Sequence, residues 1–259
     1  MKHVFTDQMG REVSLQLPIQ RIVSLVPSQT ELLYDLGQAD SIVGQTMFCI
    51  HPGWAHESKP RVGGTKKLNL NKIRALKPDL IIGNKEENAK AQIEELMQEF
   101  PVWMSDISDL TDALDMMLMI GEFTNSTNSA QKLVSEITQS FNSLPLLQNK
   151  KRVLYLIWRD PWMAAGNHTF IGDMLKRCGW INVAVGNRYP EMVAEQIIQA
   201  NPDKILLSSE PYPFKEKHIE ELQQICPKAH IHLVDGELFS WYGSRLLGSA
   251  DYFKQLLNS

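Results

Sequence analysis

The sequence has no apolar run long enough to be a secretory signal or a membrane span. The positive start is not followed by the roughly 7–15 apolar residues of a signal. No stretch approaches the roughly 18 apolar residues that a span requires. No membrane insertion is therefore expected. The missing signal predicts a cytoplasmic protein, although a mature periplasmic or extracellular chain whose signal had been removed would look the same.

Cysteine and excess positive charge are also scarce. Cys49, Cys178 and Cys226 lie far apart, which is typical of buried thiols rather than of a disulfide framework. Lys plus Arg number 26 against 30 Asp plus Glu, so the formal net charge is −4. A nucleic-acid-binding protein usually carries a basic stripe, and we expect no nucleic-acid partner. With 259 residues, of which 43% are hydrophobic, the composition is that of a globular protein.

Apolar segments alternate with helical patterns, and the second half of the chain repeats the order of the first. The first half predicts strands at 22–26, 41–44, 79–83 and 102–105, with helices at 28–36, 70–76 and 89–100. The second half predicts strands at 152–157, 204–207 and 230–234, with helices at 169–178, 193–200 and 217–224. The predicted fold class is α/β, with two similar lobes that each hold a mainly parallel sheet.

The repeat extends to the letters of the sequence. LKPDLII at 76–82 parallels ANPDKILL at 200–207, and IEEL occurs at both 93–96 and 219–222. Apolar residues at helical spacing fill the segment between the halves, with a break at 125–129, and predict a short helix followed by one of about twenty residues. We therefore predict an N-terminal lobe at 1–107, a helical connector at 108–148 and a C-terminal lobe at 149–259.

Several of these segments resemble the helical-backbone substrate-binding proteins of ABC importers, whose relatives carry vitamin B12, ferric siderophores or haem. The resemblance rests on DQMGREVSL at 7–15, RIVSLVPSQTELLYDLG at 21–37, NLNKIRALKPDLII at 69–82 and the connector before RVLYL at 152–156. It is greatest to the vitamin B12-binding branch and covers nearly the whole chain. It implies two lobes joined by a long connector helix, with the ligand held in a cleft between them.

The chain departs from that branch at several matching positions. Lys66 and Asn84 stand where aromatic residues would cover a corrin, and Glu237 and Trp241 stand where an aspartate and an arginine would follow the last strand. Relatives that dock on a permease present one carboxylate from each lobe.

The C-terminal counterpart of these carboxylates is Glu195. The N-terminal position is Asn71, whose amide cannot pair with an arginine in the same way. An ABC permease is therefore a possible partner, but the amide of Asn71 makes its docking doubtful.

Ligands of open α/β sheets bind beyond the carboxyl ends of the strands, so the loops there supply the candidate ligand-binding residues. These candidates are Trp158, Arg159, Trp162, Trp241, Tyr242, Arg245, Tyr212, Glu86, His51 and Ser28. The aromatic rings could stack on a flat ligand, and the arginines could meet its carboxylates or phosphates.

Each candidate also has a purely structural interpretation. One tryptophan of 158–162 could pack beneath its loop while Arg159 pairs with Asp160, and Phe239 with Trp241 could support the last helix. Ser28 and Glu31 fit a capping box, with Ser28 as the N-cap, and the free N–H groups of that helix could also receive an anion.

The leading hypothesis is a binding protein without catalytic residues, for a corrinoid, a haem or a ferric siderophore. It implies no covalently held cofactor. No metal site built by the protein is expected either, since the spacing of Cys49, His51 and His56 matches no zinc motif. One alternative is a chelatase-like enzyme that pairs His51 or His168 with Glu86 or Glu210. The other is a ligand sensor read by a partner protein.

Overall fold

A computed structural model describes residues 2–145 and 150–257 of the chain. The chain forms two compact units. Unit 1 comprises Met1–Ile107, Thr111–Ile137 and Tyr242–Arg245, and unit 2 comprises Ser108–Leu110, Thr138–Trp241 and Leu246–Ser259. The end of the predicted connector, 146–148, lies outside the described residues, as do Met1, 149 and 258–259.

Unit 1 is built on a four-stranded parallel sheet with the order β4-β3-β5-β6, beside a separate β1–β2 hairpin. Its core packs Val23, Leu25, Ile81 and Leu96 against one another. Up to the end of the sheet its elements are β1 (Lys2–Thr6), β2 (Glu12–Gln16), β3 (Ile22–Ser24), α1 (Pro27–Asp35), β4 (Ile42–Gln45), α2 (Gly53–Ser58), α3 (Leu70–Leu76), β5 (Leu80–Asn84), α4 (Lys90–Met97) and β6 (Val102–Ser105).

Two helices of similar length follow the first sheet: α5 (Leu110–Phe123, 14 residues) and α6 (Thr127–Asn142, 16 residues). The predicted break is confirmed, because Asn125 adopts φ +58°, a left-handed conformation that asparagine tolerates. The second helix is shorter than the predicted twenty residues and spans about 24 Å. No helix among the described residues is both long and apolar enough to cross a membrane.

Unit 2 carries a sheet with the order β10-β8-β7-β11-β12, with β9 also paired to β7. The pairs β7–β11, β11–β12 and β7–β9 are parallel, whereas β8 pairs antiparallel with both β7 and β10. Its elements are β7 (Arg152–Trp158), β8 (Trp162–Ala164), α7 (Phe170–Arg177), β9 (Ile181–Asn182), β10 (Glu191–Met192), α8 (Ala194–Ala200), β11 (Lys204–Ser208), α9 (Glu216–Ile225), β12 (His230–Val234), α10 (Glu237–Ser240) and α11 (Leu246–Leu257).

The internal repeat is confirmed at the level of single residues. Adding the spacing of 124 between Pro78 and Pro202 to the bounds of α3 and β5 gives those of α8 and β11. The α/β fold and the mainly parallel sheets are confirmed as well. The β1–β2 hairpin and the short strands β8, β9 and β10 were not predicted, because they lie outside the repeated pattern.

Candidate functional site

In unit 1, the loop after β4 carries a set of exposed apolar side chains. Cys49 is fully buried, and its Sγ lies 3.1 Å from both Thr30 Oγ1 and Thr46 Oγ1, which anchors the loop. Around this anchor the neighbouring side chains face outward. These exposed side chains are Met47, Phe48, Ile50 and Trp54, and we call them the β4-loop surface.

Buried polar side chains lie at the carboxyl ends of β5 and β6 and in the neighbouring helix α1. Gln29 Nε2 donates to Ser105 Oγ at 2.5 Å, and Asn84 Nδ2 donates to the same oxygen at 2.9 Å. Gln29 is fully buried, yet its Oε1 has no hydrogen-bond partner within the part of the chain that the structure describes. An unpartnered buried acceptor of this kind is rare in folded proteins.

The capping box predicted for the first helix is wrong. Helix α1 begins at Pro27, its N-cap is Val26 without a side-chain hydrogen bond, and Ser28 lies inside the first turn. Proline suits the first helical position because its φ is fixed and it has no N–H to satisfy. Ser28 is buried, so its predicted ligand contact would have to come from the helix backbone.

Glu31 holds an arginine instead of closing the cap. Its carboxylate accepts Arg245 Nε at 3.0 Å and Nη2 at 2.6 Å, and both side chains are largely buried. Arg245 was predicted to contact a ligand anion, but the structure gives it a protein carboxylate in unit 1. Tyr242, in the same short segment, is buried as well.

Glu86 and His51 are both half-buried. Asn84 Oδ1 accepts the backbone N–H groups of Glu86 (2.8 Å) and Glu87 (3.1 Å), so these acids lie in a turn ahead of α4 rather than in its first turn. The ligand roles of Glu86 and His51 remain predictions. No group of three or more His, Cys, Asp or Glu among residues 2–145 and 150–257 is arranged to hold a metal.

In unit 2, the loop after β7 exposes one tryptophan and buries the other. Trp158 ends β7 and is 40% exposed. Trp162 is 5% exposed, stacks on Phe214 at 6.1 Å and is covered by the Arg159 guanidinium 4.3 Å above its ring. The ring of Trp162 is thus covered by protein groups, and Trp162 supports the loop from beneath.

Arg159 is also engaged within the protein. Its guanidinium pairs with Asp160 and donates from Nε to Glu221 Oε2 at 3.2 Å. The structure therefore agrees with the alternative interpretation, in which Arg159 orders its own loop instead of presenting a free cation to a ligand.

Tyr212 backs the exposed tryptophan. Its ring meets Trp158 edge-to-face at a centroid distance of 5.6 Å, and its hydroxyl lies 3.1 Å from Nε2 of the buried His218. Held from both sides, Tyr212 fixes the orientation of Trp158. Trp158 with half-buried Tyr212 is the predicted aromatic surface that unit 2 presents, and we call this pair the β7-loop surface.

Trp241 is buried and hydrogen-bonded to a carboxylate that also lies at this edge of the sheet. Glu210 Oε1 accepts the indole N–H of Trp241 at 2.9 Å and the hydroxyl of Ser240 at 2.7 Å. Burial raises the pKa of Glu210 above its ordinary value, although these two hydrogen bonds act in the opposite direction. Trp241 therefore holds the loop in shape, and its predicted stacking surface is enclosed.

The raised pKa of Glu210 predicts a pH dependence of stability. The folded protein binds more protons than the unfolded chain as pH rises from the ordinary value of 4.5 through the raised pKa, so the free energy of unfolding falls there. Glu210→Gln keeps the acceptor oxygen and removes the charge. We expect urea unfolding at a series of pH values to lose this fall in the variant. Glu195→Gln, at an exposed carboxylate, serves as the control, and a wild type that gained stability through this range relative to Glu210→Gln would contradict the assignment.

Sequence reasoning places the segments at 27–30 and 46–54 in loops beyond the strand ends, but it does not single out Gln29, Met47, Phe48 or Ile50 as binding residues. Nothing in the sequence marks which side chains of these loops are exposed. Only Trp54, beside Pro and Gly, carried a signal. Trp103 on β6 and Trp180 just beyond α7 lie outside these loops, and both are buried.

Taken unit by unit, the fold is of the α/β class, and aromatic and apolar side chains are exposed in the loops beyond the strand ends. The family model described as "Periplasmic binding protein" matches residues 22–226. The match covers more than half of the chain, and the chain therefore belongs to this family of periplasmic binding proteins.

Three relatives illustrate the similarity. The vitamin B12-binding protein of Vibrio vulnificus strain CMCP6 is 28% identical over 207 residues, which is 76% of this chain and 74% of the relative. A possible iron-binding (periplasmic solute-binding) protein from Staphylococcus epidermidis is 25% identical with a TM-score of 0.76, covering 93% of this chain and 98% of that one. The periplasmic heme-binding protein HutB of Vibrio cholerae shares the fold, with 23% identity, a TM-score of 0.78 and coverages of 93% and 99%.

These relatives bear on the expected compartment. The family is one of periplasmic binding proteins, and the relatives from Staphylococcus epidermidis and Vibrio cholerae are described as periplasmic. They support the periplasmic or extracellular alternative and give no support to the cytoplasmic one.

Proposed function

We propose that this chain binds a corrinoid, a haem or a ferric siderophore and releases it chemically unchanged. The observation that carries the proposal is the pair of aromatic and apolar surfaces at the carboxyl ends of the two sheets. Trp158 with Tyr212 forms the β7-loop surface, and Trp54 with its neighbours forms the β4-loop surface. Large conjugated or metal-bearing ligands offer the broad faces that such rings cover.

The names of the relatives narrow the ligand class without selecting one member. Relatives are named for vitamin B12, for iron and for heme, and each of these ligands combines a metal with a large organic frame or shell. Lys66 is exposed where an aromatic residue was expected and makes the unit 1 surface more polar, whereas Asn84 is buried. The side chain of Asn84 orders its own loop, because it donates to Ser105 and accepts the backbone N–H of Glu86. This polarity favours a ligand with polar groups on one side.

The chelatase-like alternative needs a histidine that can exchange a proton with a carboxylate at the site. Glu210 accepts hydrogen bonds from Ser240 and Trp241, and neither of these residues can take the place of the histidine. His168 is exposed in the loop before α7, and within 2–145 and 150–257 no hydrogen bond joins it to a carboxylate. We therefore propose binding rather than catalysis, and a periplasmic or extracellular location in keeping with the family.

A titration of the purified chain tests the proposal. Cobalamin, haem and a ferric siderophore are each added stepwise while visible absorbance and heat are followed. We expect one of the three to saturate at a single site, with a spectral change and without turnover of the ligand. Absence of saturable binding to all three would overturn the proposed function, and metal insertion or removal during the titration would favour the enzyme.

A further inference from the structure

Helices α3 and α8 are counterparts in the internal repeat, and their backbones are equivalent. Each has seven residues and ends on a left-handed residue, Lys77 with φ 45° and ψ 62° and Asn201 with φ 44° and ψ 62°. The spacing of 124 pairs Asn71 with Glu195. Because the backbones agree, any difference in what the two helices bind comes from their side chains.

The segment that contains α3 is basic throughout. Positions 58–78 hold seven Lys and Arg and no Asp or Glu, in a chain whose net charge is −4. The seven are Lys59, Arg61, Lys66, Lys67, Lys72, Arg74 and Lys77. The local charge is therefore opposite in sign to that of the whole chain.

Most of this charge is not neutralised inside unit 1. Arg74 is bound by Glu95 and Glu99, and Lys59 and Lys66 donate to backbone carbonyls. The remaining four side chains are exposed, and none of them has a salt-bridge partner among the described residues. They are Arg61, Lys67, Lys72 and Lys77.

A groove of about 550 Å³ lies beside α3, lined by Lys67, Leu68, Asn69, Leu70, Asn71, Arg74 and Glu95. Of the four exposed cations, Lys67 lines it, and Arg74 and Glu95 are paired with each other there. The mixed polar and apolar lining of the groove suits protruding side chains better than the face of a bilayer. A membrane-binding surface usually adds exposed apolar residues to its lysines. Within 58–78, where every residue is described, no large apolar side chain is exposed.

We propose that this basic α3 face of unit 1 is a docking surface for an acidic segment of a partner protein. Complementary charge speeds encounter and selects the partner, and the groove supplies a place for its side chains. Lys66 contacts the Glu86 turn and belongs to the ligand-binding side, so the proposal concerns the other cations of the segment. It holds whichever ligand the chain carries.

The counterpart face on α8 fits a different surface. Glu195 is exposed there between Val193 and Ile198, which are themselves 58% and 53% exposed. A partner made of two identical subunits would present the same charge at both contacts. It could not match both the basic surface at α3 and the acidic and apolar surface at α8. If an importer permease is the partner, its two contacts with this chain are therefore expected to differ, with the acidic contact at α3.

The test uses a fluorescein-labelled oligoglutamate peptide followed by anisotropy at low and moderate salt. Lys67→Glu/Lys72→Glu/Lys77→Glu is compared with Lys215→Glu/Lys217→Glu/Lys228→Glu, which changes the net charge equally at exposed lysines of unit 2. We expect salt-sensitive binding by the wild type, a loss of about tenfold or more in the α3 variant and a change of less than about twofold in the control.

Circular dichroism and the ligand titration check that both variants fold. Equal losses in the two triple variants, or no peptide binding by the wild type at low salt, would overturn the proposal. Vesicles of phosphatidylglycerol are tested in parallel. Binding to them that depends on the α3 lysines, without binding of the peptide, would replace the protein partner with a membrane and would likewise overturn it.

Discussion

Replacing Trp158 with alanine is expected to weaken ligand binding about thirtyfold. An aromatic anchor at the centre of a binding surface contributes about 2 kcal/mol or more, and about 1.4 kcal/mol corresponds to a factor of ten in affinity. Trp158 has the required exposure, and its ring is already oriented by Tyr212, so little ordering cost opposes its contact with a ligand. The dissociation constant of the ligand selected by titration measures the effect.

Two variants separate stacking from general disturbance. Trp158→Phe retains an aromatic face and should recover most of the affinity. Leu233→Ala removes a side chain of nearly equal exposure, 39% against 40%, from strand β12 of the same unit and should leave affinity unchanged. If Trp158→Ala binds as tightly as the wild type, the β7-loop surface does not contact the ligand.

Replacing Phe239 with alanine is expected to have the largest effect on stability. Phe239 is fully buried, with ring centroids of Phe253 at 4.6 Å, Tyr155 at 4.9 Å and Tyr252 at 6.2 Å. Truncating a buried phenylalanine costs about 3–5 kcal/mol, through lost burial and the cavity left behind. That is a large part of the 5–15 kcal/mol by which typical domains are stable, and the thermal midpoint should fall by about 10 °C.

An exposed phenylalanine provides the matched control for this prediction. Phe48 is 54% exposed, so Phe48→Ala should change the free energy of unfolding by less than about 0.5 kcal/mol. Thermal and urea unfolding of both variants measure the difference. Comparable losses in the two variants would mean that the β4-loop surface is packed in solution and not presented to a ligand.

Much of the fold could be predicted because the second half of the chain repeats the pattern of strands and helices in the first half. The bounds of α3, β6 and β12 were predicted to the residue, since each is a regular apolar pattern bounded by turn residues. The β8–β10 pairing could not be predicted, because it consists of two strands of two or three residues that are joined only through the folded sheet. Segments so short carry no periodicity of their own.

The site was harder to predict than the fold, because a sequence gives the position of an aromatic residue but not its exposure. Trp158 and Trp162 lie four residues apart, at the two ends of the β7–β8 connection, yet one is exposed and the other is covered by Phe214 and Arg159. The difference depends on contacts with α9 and with the loop that holds Tyr212, far along the chain. The arginines show the same limit, since Arg159 and Arg245 are both held by carboxylates distant in sequence.

Oxidative footprinting of the ligand-saturated chain tests the central claim most directly. Hydroxyl-radical modification of Trp158 and Trp54, the exposed tryptophans of the two loop surfaces, is measured by mass spectrometry with and without the ligand selected by titration. Val4, exposed on the β1–β2 hairpin, is the internal reference. We predict that the ligand protects Trp158 strongly and Trp54 measurably while Val4 is unchanged. Saturation of the ligand without protection of either tryptophan would contradict the account.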